Sequence, residues 1–184
     1  MGQGLEERSA IIAEVGEKNY MASFAREMPV HTVQLDGFWI SRYPVTRRNY
    51  FKFQASSGYK TLAQREKWIR VWNPDKEQLE QKHGGEWTDP GFPQNGDHPV
   101  VNVAYEDVLA LSKWLSTHCH RLFQPPSEAQ WEYACRAGTT TPFYFGRTIH
   151  SDQANFDGRK GSLFSDPGRF RQGTTPVTQF RDQA

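Results

Sequence analysis

Two cysteines, Cys119 and Cys135, are the only thiols in the 184-residue chain. A thiol pair can bind a soft metal or undergo redox chemistry, and two cysteines allow at most one intrachain disulfide. The run His118-Cys119-His120 has the composition of a ligand cluster. Neighbouring side chains at a helix end do not converge on one ion, however, and no second group of His, Cys or carboxylate supplies the missing ligands. This run therefore reads as a polar helix terminus, with histidine near the negative end of the helix dipole. The cysteines read as small buried hydrophobes. His31 and His98 have prolines nearby and read as packing or hydrogen-bonding residues. Asn155-Phe156-Asp157-Gly158 is a turn sequence in which a side-chain oxygen can cap the local backbone. Carbonyls without strand partners in such a segment are also ready ligands for a hard cation.

The elements around these residues are short. Leu5 to Val15 can form a helix. His31-Thr32-Val33-Gln34-Leu35 alternates in polarity, Asp36-Gly37 is a turn pair, and Phe38-Trp39-Ile40 follows, a pattern that predicts a β-hairpin. Thr46 is a good N-cap for a helix ending near Ser57-Gly58, with Tyr50 and Phe53 on one face packing against that hairpin. Residues 61–94 carry Trp68, Trp72 and Trp87 in a polar, glycine-containing stretch, which predicts a long surface excursion pinned by a few rings. Val108, Leu111 and Leu115 mark a helix face running from Ala104 to about Thr117, with Glu106 and Asp107 in its first turn. Ser127-Glu128-Ala129-Gln130 is a capping box opening a helix that stops at Gly138, with Trp131 as its core residue. The stretch beyond is turn-rich. The fold class is α+β, with few short strands and much irregular backbone.

Length suits one domain. With 22 basic and 21 acidic side chains, no bulk field favours nucleic acid or an anionic membrane, so neither is expected as a partner. Hydrophobic residues at 36% exclude a disordered chain, and the aromatic share of 14%, with 15 glycines and 11 prolines, suggests large rings held among turns. No apolar run reaches the length of a membrane span, and the first thirty residues lack a signal layout. A cytoplasmic location is the expectation.

Several blocks, in order, resemble the sulfatase-modifying-factor (formylglycine-generating-enzyme) family. They include Met28-Pro29-Val30-His31-Thr32-Val33, Phe38-Trp39-Ile40-Ser41-Arg42-Tyr43-Pro44-Val45-Thr46, Ser57-Gly58-Tyr59-Lys60-Thr61 and Pro90-Gly91-Phe92. They continue through His98-Pro99-Val100-Val101-Asn102-Val103-Ala104-Tyr105-Glu106-Asp107 and the run from Pro126 to Gly138. Ala154-Asn155-Phe156-Asp157-Gly158 and Thr174-Thr175-Pro176-Val177 complete the match. The resemblance implies a C-type-lectin-like fold of low regular secondary structure, kin to oxidases that convert a sulfatase cysteine to formylglycine, and hence a peptide or protein substrate. It also implies a structural calcium ion on Asn155, the Phe156 carbonyl and a downstream acid. That acid is Asp166 if the alignment carries an insertion, whereas gapless placement gives Arg169. An Asx-turn without metal is the other reading of this segment.

The chain departs from the family pattern at Phe123-Gln124-Pro125, where Arg-Leu-Pro is usual. Leu62 and Gln64 replace acids that border the family's substrate cleft. Neither Cys119 nor Cys135 aligns with the reactive, copper-binding pair, which the resemblance places beyond Ala184 with a Gly-Asn-x-Trp-Glu-Trp and a Gly-Gly-Ser-Trp block. Residues 1–184 are thus expected to be a single domain of this family, incomplete at its C-terminus and inactive by itself. Copper is expected only in a full-length catalytic relative. The alternatives are a non-catalytic lectin-like ligand-binding module and kinship with the family's non-haem iron oxidoreductases, although no His-x-x-x-His-x-Glu spacing is present.

Overall fold

A computed structural model describes residues 1–162 and 164–180; the end of the expected domain, residues 181–184, lies outside the described residues. The helices are α1 (Leu5–Val15), α2 (Glu17–Ser23), α3 (Arg47–Ser57), α4 (Leu62–Glu66), α5 (Tyr105–Cys119) and α6 (Glu128–Arg136), and the strands are β1 (Trp68–Asn73) and β2 (Gln78–His83). Helices with a small antiparallel sheet make the chain α+β. The chain packs as two compact units, residues 1–40 with 126–170, and 41–125 with the segment from Arg171 onward.

The first unit is organised around its N-terminus. Tyr20 on α2 is buried, and its hydroxyl donates to Gln3 Oε1 at 2.7 Å. Gln3 is itself buried, and its Nε2 donates to Glu27 at 3.2 Å. Gly2 has a φ of +96°, and a Cβ there would lie 2.8 Å from the carbonyl oxygens of Glu27 and Pro29, so only glycine fits. Its N–H donates to Glu132 on α6, and its carbonyl accepts from Arg136. α6 begins with the expected reciprocal bonds between Ser127 and Gln130. It ends one residue earlier than glycine placement predicts, because Ala137 already takes the left-handed conformation, at φ +48°.

Three expectations fail here. The hairpin at 31–40 does not form, since an isolated two-stranded ribbon needs one face covered and Trp39 is wholly exposed. Trp131 is 59% exposed and is not core. Cys135 is exposed, as is Cys119 in the other unit, so neither is a buried hydrophobe. α6 presents its Trp131, Tyr133 and Cys135 side to solvent.

The second unit holds the ring-rich core. Thr46 Oγ1 accepts from the Asn49 N–H and Gly58 closes α3 in the left-handed conformation, as the caps predict. Tyr50 and Phe53 are both buried but do not meet a 31–40 hairpin. They pack edge-on with each other at 5.4 Å, and Tyr50 meets Trp87 at 5.3 Å while Phe53 meets Trp114 of α5 at 5.6 Å. Leu111 completes the cluster. The 61–94 region is therefore no surface excursion. It contains α4 and a β1–β2 ladder in which Trp68 pairs with His83 and Asn73 with Gln78, and it supplies the 2% exposed Trp87 to the core. Trp87 also donates its indole N–H to Gln54.

Candidate functional site

The segment after α6 carries the expected metal ligands. Among its described residues it has no strand beyond isolated bridges, in keeping with its turn-rich sequence. Two of its stretches are tied together at glycines. The Gly158 N–H donates to the Arg169 carbonyl at 3.3 Å, and the Gly168 N–H donates to the Gly158 carbonyl at 2.5 Å. A Cβ on the buried Gly158 would stand 3.0 Å from the Arg169 oxygen, so close backbone approach requires glycine. Asn155 and Phe156 precede one end of this clamp, and Asp166 precedes the other. Asp166 is 85% exposed, and its nearest ionic neighbour is His150 Nδ1 at 3.9 Å.

Asp157 is committed elsewhere. Its Oδ1 accepts from the Arg159 N–H, forming the Asx-turn that the sequence allows, and its Oδ2 meets the Arg159 guanidinium at 2.8 Å. That guanidinium holds the Asp157 carboxyl below the usual carboxylate range. The oxygens left for a cation are the Asn155 amide, the Phe156 carbonyl and the Asp166 carboxylate. This hard, singly charged donor set suits calcium better than a thiophilic metal.

The second unit carries an open cleft of about 420 Å³, lined by Lys60, Ala63, Gln64, Lys67, Gly84 and Glu86 among others. Its wall is built by α4, whose start is a capping box between Thr61 and Gln64. The Gln64 amide donates to Glu86 at 2.6 Å and its carbonyl accepts from Gln54 at 2.6 Å. Gln64, one of the two residues that replace the family's cleft acids, thus faces this cleft. The cleft rim is basic through Lys60 and Lys67, while Glu86 is occupied by Gln64 and Thr88. Below it, buried Asp107 accepts from the Tyr59 hydroxyl, the Leu62 N–H and the Ala104 N–H at 2.9, 3.0 and 2.7 Å. Asp107 anchors the start of α4 to the start of α5. Sequence reading placed it only as a favourable first-turn acid and missed α4, although Thr61-x-x-Gln64 is the same capping signal that identified α6.

The remaining candidates stay apart from these features. Cys119 ends α5, beside His118, whose Nδ1 contacts the Trp114 carbonyl and whose ring lies 4.4 Å from that of Trp114, a helix terminus as expected. Cys119 belongs to the second unit and Cys135 to the first. Among the described residues no group of three His, Cys, Asp or Glu is disposed to hold a metal ion, so these thiols do not fit a copper centre. His31 and His98 make hydrogen-bonding contacts, to the Pro29 carbonyl and to Thr174 Oγ1, as anticipated. No helix among the described residues is long and apolar enough to cross a membrane.

Comparison with known proteins agrees with this arrangement. Residues 3–184 match the sulfatase-modifying factor enzyme 1-like domain. The formylglycine-generating enzyme of Mycobacterium tuberculosis is 31% identical across 67% of this chain and 49% of its own length. That of Thermomonospora curvata is 30% identical across 82% of this chain and 51% of its own. A serine/threonine-protein kinase Pkn1 of Chlamydia trachomatis is 27% identical over 84% of this chain and 21% of its own. The chain spans about half the length of the formylglycine-generating enzymes it matches. With the ordered blocks of sequence and a match that runs almost from end to end, the chain belongs to the sulfatase-modifying factor enzyme 1-like domain family.

Proposed function

We propose that residues 1–184 form one C-type-lectin-like domain that recognises a peptide segment of a protein substrate, with calcium on Asn155, Phe156 and Asp166 as a structural ion, and that by itself it does not oxidise cysteine. The observation that carries this reading is the pairing of a formed cleft at the Thr61-Gln64 turn with two thiols that have no metal-binding neighbours among the described residues. A cleft can bind without chemistry, whereas cysteine oxidation needs a thiolate held beside a metal or a partner thiol. Calcium would act by neutralising oxygens that the irregular 154–168 backbone leaves without ladder partners. The exposed free thiols suit a reducing compartment such as the cytoplasm.

The purified chain, given a cysteine-containing sulfatase peptide, copper and oxygen, is expected to bind the peptide and consume no oxygen. Turnover by the parent chain overturns the non-catalytic part of the reading. Its survival in Cys119→Ser/Cys135→Ser would show that the chemistry resides in other residues, and its loss there would place it on these thiols.

A further inference from the structure

Within the first unit, residues 32–40 make no hydrogen bond, backbone or side-chain, among the described residues. This is nine consecutive residues of unpaired backbone, and they keep the alternating pattern that makes a strand. Their apolar side chains are poorly covered: Val33 is 40%, Ile40 46% and Trp39 101% exposed. Beside them α6 exposes Tyr133, at 68%, whose ring meets Phe38 edge-on at 6.1 Å. Val33, Leu35, Ala129 and Tyr133 line a groove of about 220 Å³ between the segment and the helix. Unpaired N–H and C=O groups beside exposed apolar side chains form a template for an added strand, which satisfies the backbone and covers the rings in one step.

The occupant is indicated by length. The family match takes in residues 3–184, yet the Mycobacterium and Thermomonospora relatives have about half of their chains outside it. We propose that residues 32–40, with Tyr133, are the docking edge for a β-strand from that complementary portion of a formylglycine-generating-enzyme domain. The inference rests on the family membership and is independent of whether the cleft binds peptide or the thiols react.

The test is hydrogen exchange by mass spectrometry on the 184-residue chain. The probe is the stretch of the Thermomonospora curvata enzyme left uncovered by the match, added as a separate polypeptide, or joined through a Gly/Ser linker if it does not dissolve alone. Amides of 32–40 are expected to exchange freely in the chain alone and to slow by about tenfold or more when the stretch is present. Val33→Pro and Gln34→Pro remove neighbouring N–H donors that face opposite edges of a strand, so one of the two abolishes the protection while the thermal midpoint of the free chain stays unchanged. Exchange unaffected by the stretch overturns the proposal, as does protection that survives both prolines. Protection that grows with chain concentration in the absence of the stretch overturns it in favour of a second copy.

Discussion

A buried carboxylate is tolerated when its lone pairs are filled, and Asp107 fills three of its acceptor positions from Tyr59, Leu62 and Ala104. Asp107→Ala strands those donors in a fully buried site and is expected to cost about 3 kcal/mol or more in a urea titration. Asp107→Asn should cost less, because its carbonyl still accepts from Tyr59 and Leu62 while its amide faces the Ala104 N–H; equal losses would mean that the oxygens do not act separately. Glu80 is a different case. Hydrogen bonds from Lys76, Asn73 and Gln78 pull its carboxyl from 4.5 down to about 2. A depressed carboxylate contributes stability that is present above the unfolded pKa and is lost as pH falls through the folded one. The β1–β2 hairpin should therefore weaken between about pH 4.5 and pH 2. Glu80→Gln removes that acid-dependent part, as read from unfolding midpoints at pH 5 and pH 2.5. Asp89, held low first by Lys82, adds a change of the same sign.

At the scale of elements, local chemistry and burial give separate answers. The Ser127–Gln130 box forms as its sequence requires, so Ser127→Ala is expected to cost about 0.5 to 2 kcal/mol. Trp131, on the same helix, is mostly exposed, and Trp131→Ala should cost no more than about 1 kcal/mol. Trp87→Ala empties the centre of the ring cluster and should cost about 3 to 5 kcal/mol. Denaturant unfolding of the three variants together checks the order, and a Trp131 loss as large as that of Trp87 would contradict the exposed face of α6. The sequence of β2, Gln78 to His83, is almost wholly polar and carries no strand signal of its own. It becomes a strand by pairing with Trp68-Ile69-Arg70-Val71-Trp72, which buries Ile69. The opposite error occurred at 31–40, where a good alternating pattern finds no covering surface.

At the scale of the whole molecule, the 154–168 region must be ordered without a ladder, at an entropic cost of about 1 to 2 kcal/mol per residue. Calcium bound to the folded state alone would add about 2.7 kcal/mol at a hundredfold excess over its dissociation constant. The melting temperature should accordingly rise with calcium, respond little to magnesium, fall with chelator, and become indifferent to calcium in Asn155→Ala. A parent chain indifferent to calcium would leave the Asp157 Asx-turn as the whole account of this segment. The family was legible in the order of short blocks along the chain, and so were the caps of α3 and α6 and the helical face of α5, because each depends on residues within a few positions of one another. Tertiary structure alone decided that Trp87 is core while Trp39 and Trp131 are bare, that the ladder forms at 68–83, and that Gly158 clamps against Gly168. Burial and strand pairing depend on what lies opposite in space, and side chains of one type carry no mark of which of them will find a partner.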